Sequence, residues 1–343
     1  MTSEISEAAP AWLRSKRFDL SFVAAPTALA LASGAAVVAQ PSLFIPILTL
    51  DIWLLGFHHV ISTFTRLCAD ESSVREHRRL LTTLPAAVLV GVLAIGFGVG
   101  FWALTTIYLY WQWFHYTRQS WGIARVYERK MSEPLPEDPR LFAAAFYLLP
   151  LWGILHRSQQ DPDEFLRLDV ETIVVPSWLV TSVGAAAILA MLAVGVIRIA
   201  AWRNGRLPMM HTLFLVTHFA IFGVGYLAIS DIDHGWLVLN VWHNAQYVAF
   251  VWYFNNRQAA QLNETAVAPT LVQRMSASHR VVGYFALSIA ASTVIYLTLQ
   301  LTLALVVAPI VIYQTINFHH YIVDSRIWKV RKKPLQTTLG IGS

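Results

Sequence analysis

Ten stretches of helix length, at about 20–39, 42–65, 82–98, 101–124, 141–156, 176–197, 208–229, 235–255, 281–299 and 301–323, are made almost wholly of apolar residues. About twenty such residues in an α-helix cross a hydrocarbon core of about 30 Å. The pattern predicts an all-α fold, a polytopic integral membrane helix bundle with about ten transmembrane helices and a single transmembrane domain over residues 1–343. Only 13% of the residues are charged and the mean hydropathy is +0.52, whereas a soluble domain carries about a quarter charged residues. No large soluble domain fits beside the spans. Two long apolar stretches need internal turns, which Gly98 and Gly100 supply in the first and the polar Gln300 in the second.

Loop charge tests the count. With the N-terminus inside, ten spans put all of the 25 Lys and Arg on the cytoplasmic side except Arg118, which lies within a span, and Arg157 and Arg167. The opposite loops collect Asp161, Asp163, Glu164, Asp169, Glu171, Asp231 and Asp233. A missed or extra span would invert every later loop, so both termini are expected to be cytoplasmic. The same bias accounts for the net charge of +5 and leaves no case for nucleic-acid binding. The expected location is a bacterial inner membrane. The stretch LALASGAA after the basic N-terminus could end a signal peptide; it is read as the first helix.

Twelve histidines are present, and eight fall in the central and cytoplasmic parts of the predicted spans. They are His58 and His59 in span 2, His115 in span 4, His211 and His218 in span 7, His243 in span 8, and His319 and His320 in span 10. Five helices can therefore deliver imidazoles to one layer. A single histidine at such depth is ordinarily neutral and hydrogen-bonded to a neighbouring helix. Eight together are hard to satisfy by mutual hydrogen bonding, whereas a metal takes neutral imidazole directly. These eight are the candidate metal ligands. Polar residues that could orient them cluster nearby: Asn240, Asn244 and Gln246 around His243, Asn317 and Asp324 around His320, Gln112 and Gln119 around His115, and Asp51 seven before His58. Asp324, Asn244, Gln119 and Arg118 are the candidate catalytic residues, with Arg118 expected either to pair with a carboxylate or to snorkel to the headgroups. Ser62 and Thr63 are read as backbone-bonded helix residues.

A faint repeat, FHH before Arg66 and FHH before Arg326, with an aromatic directly before His115 and His243, suggests related halves 20–125 and 208–325 around the helices at 141–156 and 176–197. The lone Cys68 excludes an intrachain disulfide and multi-cysteine zinc or iron–sulfur sites.

Imidazole with or without carboxylate is the usual setting of oxygen-activating iron, and six to eight histidines suit two ions. Copper is a weaker alternative, hinted at by Met209 and Met210 beside His211. In composition and layout the chain resembles the histidine-rich integral-membrane di-iron desaturases and hydroxylases, although their spaced HxxxH and HxxHH boxes are absent and ten spans exceed their usual number. The expectation is a histidine-ligated, metal-dependent membrane oxidoreductase, a non-haem di-iron oxygenase of hydroxylase or desaturase type. It would act on a lipid or other apolar substrate in the cytoplasmic half of the bilayer. Electrons would come from a cytoplasmic donor docking on the basic face around Arg125, Arg129, Lys130 and Lys329 to Lys333. Two alternatives stand beside it: a bis-histidine haem b electron-transfer protein, and a metal or proton transporter.

Overall fold

A computed structural model describes residues 12–68, 71–131, 133–262, 270–303 and 308–341. Among the described residues, ten long helices coincide in order with the ten apolar segments. They are α1 (Lys16–Ala39), α2 (Pro41–Leu67), α3 (Arg78–Gly98), α4 (Phe101–Arg129) and α5 (Pro139–Gln159), then α6 (Ser177–Arg203), α7 (Met209–Ala228), α8 (Ile232–Leu262), α9 (Val281–Leu303) and α10 (Pro309–Ile327).

Their ends follow local chemistry. The Ser15 hydroxyl accepts from the Phe18 amide to cap α1, and Asp138 followed by Pro139 opens α5. Gly100, at φ +139, makes the turn between α3 and α4. The turn expected at Gln300 is a correction: α9 runs on to Leu303 and α10 begins at Pro309, with residues 304–307 outside the described part. Glutamine is a good helix former, whereas proline lacks the N–H that a helix interior needs and suits the first helical position.

Seven of these helices, α1, α2, α3, α5, α6, α7 and α9, are long and apolar enough to cross a membrane, and they define an integral membrane protein. The other three, α4, α8 and α10, are long but less apolar, because they carry Gln112, His115, Asn240, His243, Asn317, His320 and Asp324, all of them buried. The outer surface is the reverse, with Val90, Phe97, Leu189 and Val282 between 66% and 79% exposed. Apolar outside and polar within is the arrangement hydrocarbon solvent requires. At the centre stands α8, whose residues from Trp236 to Trp242 are all buried.

One end of the bundle is basic. There Tyr253 Oη on α8 donates to Leu13 O at 2.7 Å and to Leu339 O at 3.5 Å, so the first and last described segments meet. Lys130 reaches Leu13 O (3.0 Å), Arg129 reaches Val330 O (3.0 Å), and Lys332 pairs with Glu76 (3.7 Å) at the same end. At the other end the 160–176 connection folds a short hairpin, Glu164–Phe165 against Leu168–Asp169, with Leu166 and Arg167 at positive φ. Its Leu166 amide donates to Asp233 (2.8 Å), and its buried Phe165 packs edge-on against Trp236. Arg157, apparently a stray cation at this end, is almost wholly buried and donates to the carbonyls of Gly225, Ile229 and Ser230. It caps the C-terminus of α7 and so bears on no loop count.

Candidate metal centre

Four helices, α2, α4, α8 and α10, converge near mid-bundle. His59 of α2 and His320 of α10 approach with Nε2 atoms 2.7 Å apart, and His115 Nε2 of α4 lies 3.3 Å from His320 Nε2. Asp324, one turn beyond His320, places Oδ2 3.6 Å from His320 Nε2 and 4.0 Å from His115 Nε2. One donor atom from each of these four buried residues lies within 4.8 Å of all the others. A tetrahedral ion with nitrogen at about 2.0–2.1 Å spaces its ligands about 3.3 Å apart; His320 and His115 stand at that separation, whereas His59 and His320, at 2.7 Å, would have to part slightly to admit one.

Hydrogen bonding alone accounts poorly for this group. A neutral imidazole has one donor and one acceptor nitrogen. His320 Nδ1 is already engaged with Thr63 Oγ1 at 2.9 Å, leaving a single in-plane site on Nε2 to serve two other Nε2 atoms. His59 Nδ1 has no protein partner. A cation facing the converged lone pairs satisfies all three rings together.

Around the donors lies an orienting layer of the kind metal sites use. The Thr63 hydroxyl touches His320 Nδ1, the Tyr247 hydroxyl (2.8 Å) and Asp324 Oδ1 (3.2 Å). Tyr247 donates to Asp324 Oδ1 (2.7 Å) and accepts from Trp328 Nε1 (3.0 Å). Asp324 thus has one oxygen fixed by hydroxyls and the other turned to the imidazoles. Thr63 and Tyr247 belong to the candidate site and were missed in the sequence reading, and Thr63, read there as backbone-bonded, is corrected. The available signal was spacing: each lies four residues after a central histidine, as Gln119 and Asp324 do, and residues four apart share a helix face.

Of the eight predicted ligands, His59, His115 and His320 meet. His243 stands against them, its ring 4.6 Å from His59 and 4.9 Å from His115, with Nδ1 buried and unpartnered. The other four face elsewhere. His58 packs edge-on against Phe285 of α9, and His319 stacks on Phe64 and bonds Leu80 O (2.8 Å). His218 uses both nitrogens, with Ser120 Oγ (2.9 Å) and Phe146 O (3.0 Å), and stacks on the Phe146 ring. His211 accepts from Arg198 (3.1 Å), which itself pairs with Glu137. Neighbours in a helix point about 100° apart, so each FHH pair supplies only its second histidine.

The candidate catalytic residues also separate. Asp324 belongs among the candidate donors. Gln119 donates to the backbone carbonyl of His243 (3.1 Å) and fixes α4 against α8. Asn244 lies beside His59 and His243 on a small polar cavity of about 30 Å³. Arg118 pairs with no carboxylate among the described residues; it is exposed and donates to Tyr147 Oη (2.8 Å). Asp51 faces Asn240 of α8, and the chain continues through Tyr116 to Gln112, which also accepts from Trp236 (2.6 Å). This network braces the site without entering it.

On the basic-end side, His115 and Asp324 form part of the wall of a larger pocket of about 450 Å³ between α4, α8 and α10. One imidazole and the carboxylate of the donor set thus open directly on a space of ligand size. Comparison of the chain with protein-family models, curated proteins and solved structures finds no match. Function is then to be read from the site itself.

Proposed function

We propose that this protein is a membrane oxidoreductase of the non-haem iron oxygenase type. One ion would be held by His59, His115, His320 and Asp324, with His243 in reserve, and the reaction would take place on a lipid or other apolar molecule in the larger pocket. The single observation that carries the reading is the convergence of three Nε2 atoms and one carboxylate oxygen, all buried, with two of the four residues, His115 and Asp324, on the wall of that pocket. Mixed imidazole and carboxylate ligation that leaves positions open is the donor chemistry of oxygen-activating ferrous iron. Such an ion supplies dioxygen activation when bound. The chain's contribution is to orient the donors through Thr63 and Tyr247, to exclude water with Trp111, Tyr321 and Trp328, and to seat the substrate. Hydroxylating a C–H bond consumes one dioxygen, two electrons and two protons and releases one water, so a cytoplasmic one-electron carrier protein is part of the proposal.

Only one group of convergent donors occurs among the described residues, which favours one ion over the two expected from the histidine count. A bis-histidine haem at this group is disfavoured, because a macrocycle would have to pass between His59 and His320, whose Nε2 atoms are 2.7 Å apart. We further propose ten spans with both ends cytoplasmic, in a bacterial inner membrane, on the strength of the basic end and the positive-inside rule.

Metal analysis by mass spectrometry with an optical spectrum of the detergent-purified protein tests the centre. About one iron per chain and no Soret band is the expected result. A Soret band, or no bound transition metal after iron supplementation, would overturn it.

A further inference from the structure

The larger pocket carries a charge pattern that neither the fold nor the metal centre requires. Its inner walls are aromatic, with Trp111 and Trp121 of α4, Phe250 of α8 and Trp328 beyond α10. Cations line the same pocket: Arg118, Arg125 and Arg129 on α4, and Lys329 and Arg331 beyond α10. Asp324, at the metal end, is the only carboxylate among the described residues that line it. Arg125 also pairs with Glu128 and lies 5.8 Å from the Trp121 ring centroid, which fixes its head near the aromatic wall.

Positive loops by themselves satisfy the topology rule, but that rule asks only for cations on one side. Here five line one pocket whose other walls are largely aromatic and aliphatic and which also holds two of the metal-site residues. Phe114, at the pocket's flank, is 48% exposed, so one side faces the surrounding hydrocarbon.

A glycine keeps the space open. Gly122 lines the pocket on α4, and a Cβ added there would meet nothing within 4 Å. Glycine is unfavourable in a helix interior relative to alanine, and no neighbour demands it at this position. Its consequence is an unfilled wall between the aromatic side chains and the cations.

We infer that this pocket binds a single-chain anionic amphiphile, with a carboxylate or phosphate head held among Arg125, Arg129, Lys329 and Arg331 and an aliphatic tail directed along the aromatic walls toward His115 and Asp324. The inference names the substrate class of the site proposed above and rests on that reading for the pocket's role in catalysis, though not for binding. A volume of about 450 Å³ suits one ligand of drug size. Guanidinium groups match both carboxylate and phosphate bidentately. It also reassigns the basic surface otherwise expected to dock an electron donor, since Arg125, Arg129 and Lys329 are turned to a pocket rather than to a flat face.

The test uses the purified full-length protein in neutral detergent, with tryptophan fluorescence read on titration by three probes: a mid-chain dibrominated stearate, its methyl ester, and a lysophosphatidate with the same brominated chain. Bromine quenches nearby indoles, and Trp111, Trp121 and Trp328 lie in the walls. At least one anion is expected to bind tenfold or more tightly than the ester, with the difference shrinking as salt rises. Which anion binds more tightly identifies the head. Gly122→Leu should weaken anion binding at least tenfold while bound metal is unchanged. Equal binding of ester and anions, or undiminished anion binding by Gly122→Leu, would overturn the inference. Should Gly122→Leu fail to insert, the double variant Lys329→Gln/Arg331→Gln, at exposed or partly exposed loop positions, decides. A severalfold loss of anion preference supports the pocket, and an unchanged preference overturns it. Metal analysis of the same samples keeps the two proposals apart: anion binding without iron sinks the oxygenase reading alone, and iron without anion preference sinks this one alone.

Discussion

His320 is the residue on which the proposed centre turns. Its Nε2 is within 3.3 Å of two other imidazole nitrogens, its Nδ1 is held by Thr63, and its own helix brings Asp324 alongside. Replacing His320 by Ala removes the common neighbour, and purified protein should then carry no stoichiometric metal. His218→Ala is the matched control, because His218 is equally deep but both its nitrogens are spent on Ser120 and Phe146; it should keep the wild-type metal content. Metal retained by the first variant, or lost from the second with the fold intact, would contradict the assignment of ligands. Thr63→Val tests the orienting layer. It preserves shape but removes the hydroxyl that joins His320, Tyr247 and Asp324, and loss of such a partner costs about 10–100-fold in metal affinity. Chelator competition reads this directly, and an affinity within twofold of wild type would mean that Thr63 only packs.

A π-helical turn, Ile52–Gly56, interrupts α2 between Asp51 and the histidine pair. Such turns hold one residue more than an α-helix needs and recur at functional sites. Without it, Asp51 and His58 would share a face, being seven apart. With the extra residue absorbed in the bulge, His59 takes that place, and it is Asp51 and His59 that both face α8. Deleting Leu54 should therefore restore a regular helix with both faces kept, and bound metal should persist. The same deletion at Ile61, in regular helix, should swing Thr63 by about 100° from His320 and weaken metal binding at least tenfold; equal metal content in the two deletions would remove the π-turn from the explanation. This element also marks how far the sequence could be read. Apolar segments of membrane length were legible because hydrocarbon demands them, and their ends were legible at Gly100 and Asp138–Pro139. The histidine layer was legible as a class, since buried imidazoles need partners. Choosing His59 over His58 was not, because helical phase carried across the bulge is off by one residue. The loss of His211 and His218 to Arg198, Ser120 and Phe146 was equally hidden, being decided by contacts between distant helices.

At the scale of the whole molecule, charge sorts the bundle into a basic and an acidic end, and the chain carries its own probe of which end faces where. Cys68, the only cysteine, is exposed and closes the C-terminus of α2. Following it, the chain runs to Glu76, which pairs with Lys332, so the thiol belongs to the basic end with the Leu13, Lys130 and Val330 segments. The positive-inside rule then makes it cytoplasmic. In intact cells or spheroplasts expressing the protein, a membrane-impermeant maleimide should leave Cys68 unlabelled and should label it after permeabilisation. The packing around the thiol desolvates its thiolate and raises its pKa above the ordinary range, so the reactive form is scarce at neutral pH. Labelling of the opened membrane should accordingly rise with pH, by up to tenfold per unit while the medium stays below that pKa. Labelling of intact cells at the permeabilised rate would place the basic end outside. The pocket mouth between α4 and α10 would then face away from any cytoplasmic electron donor, so this one thiol tests the orientation on which the donor side of the proposed reaction depends.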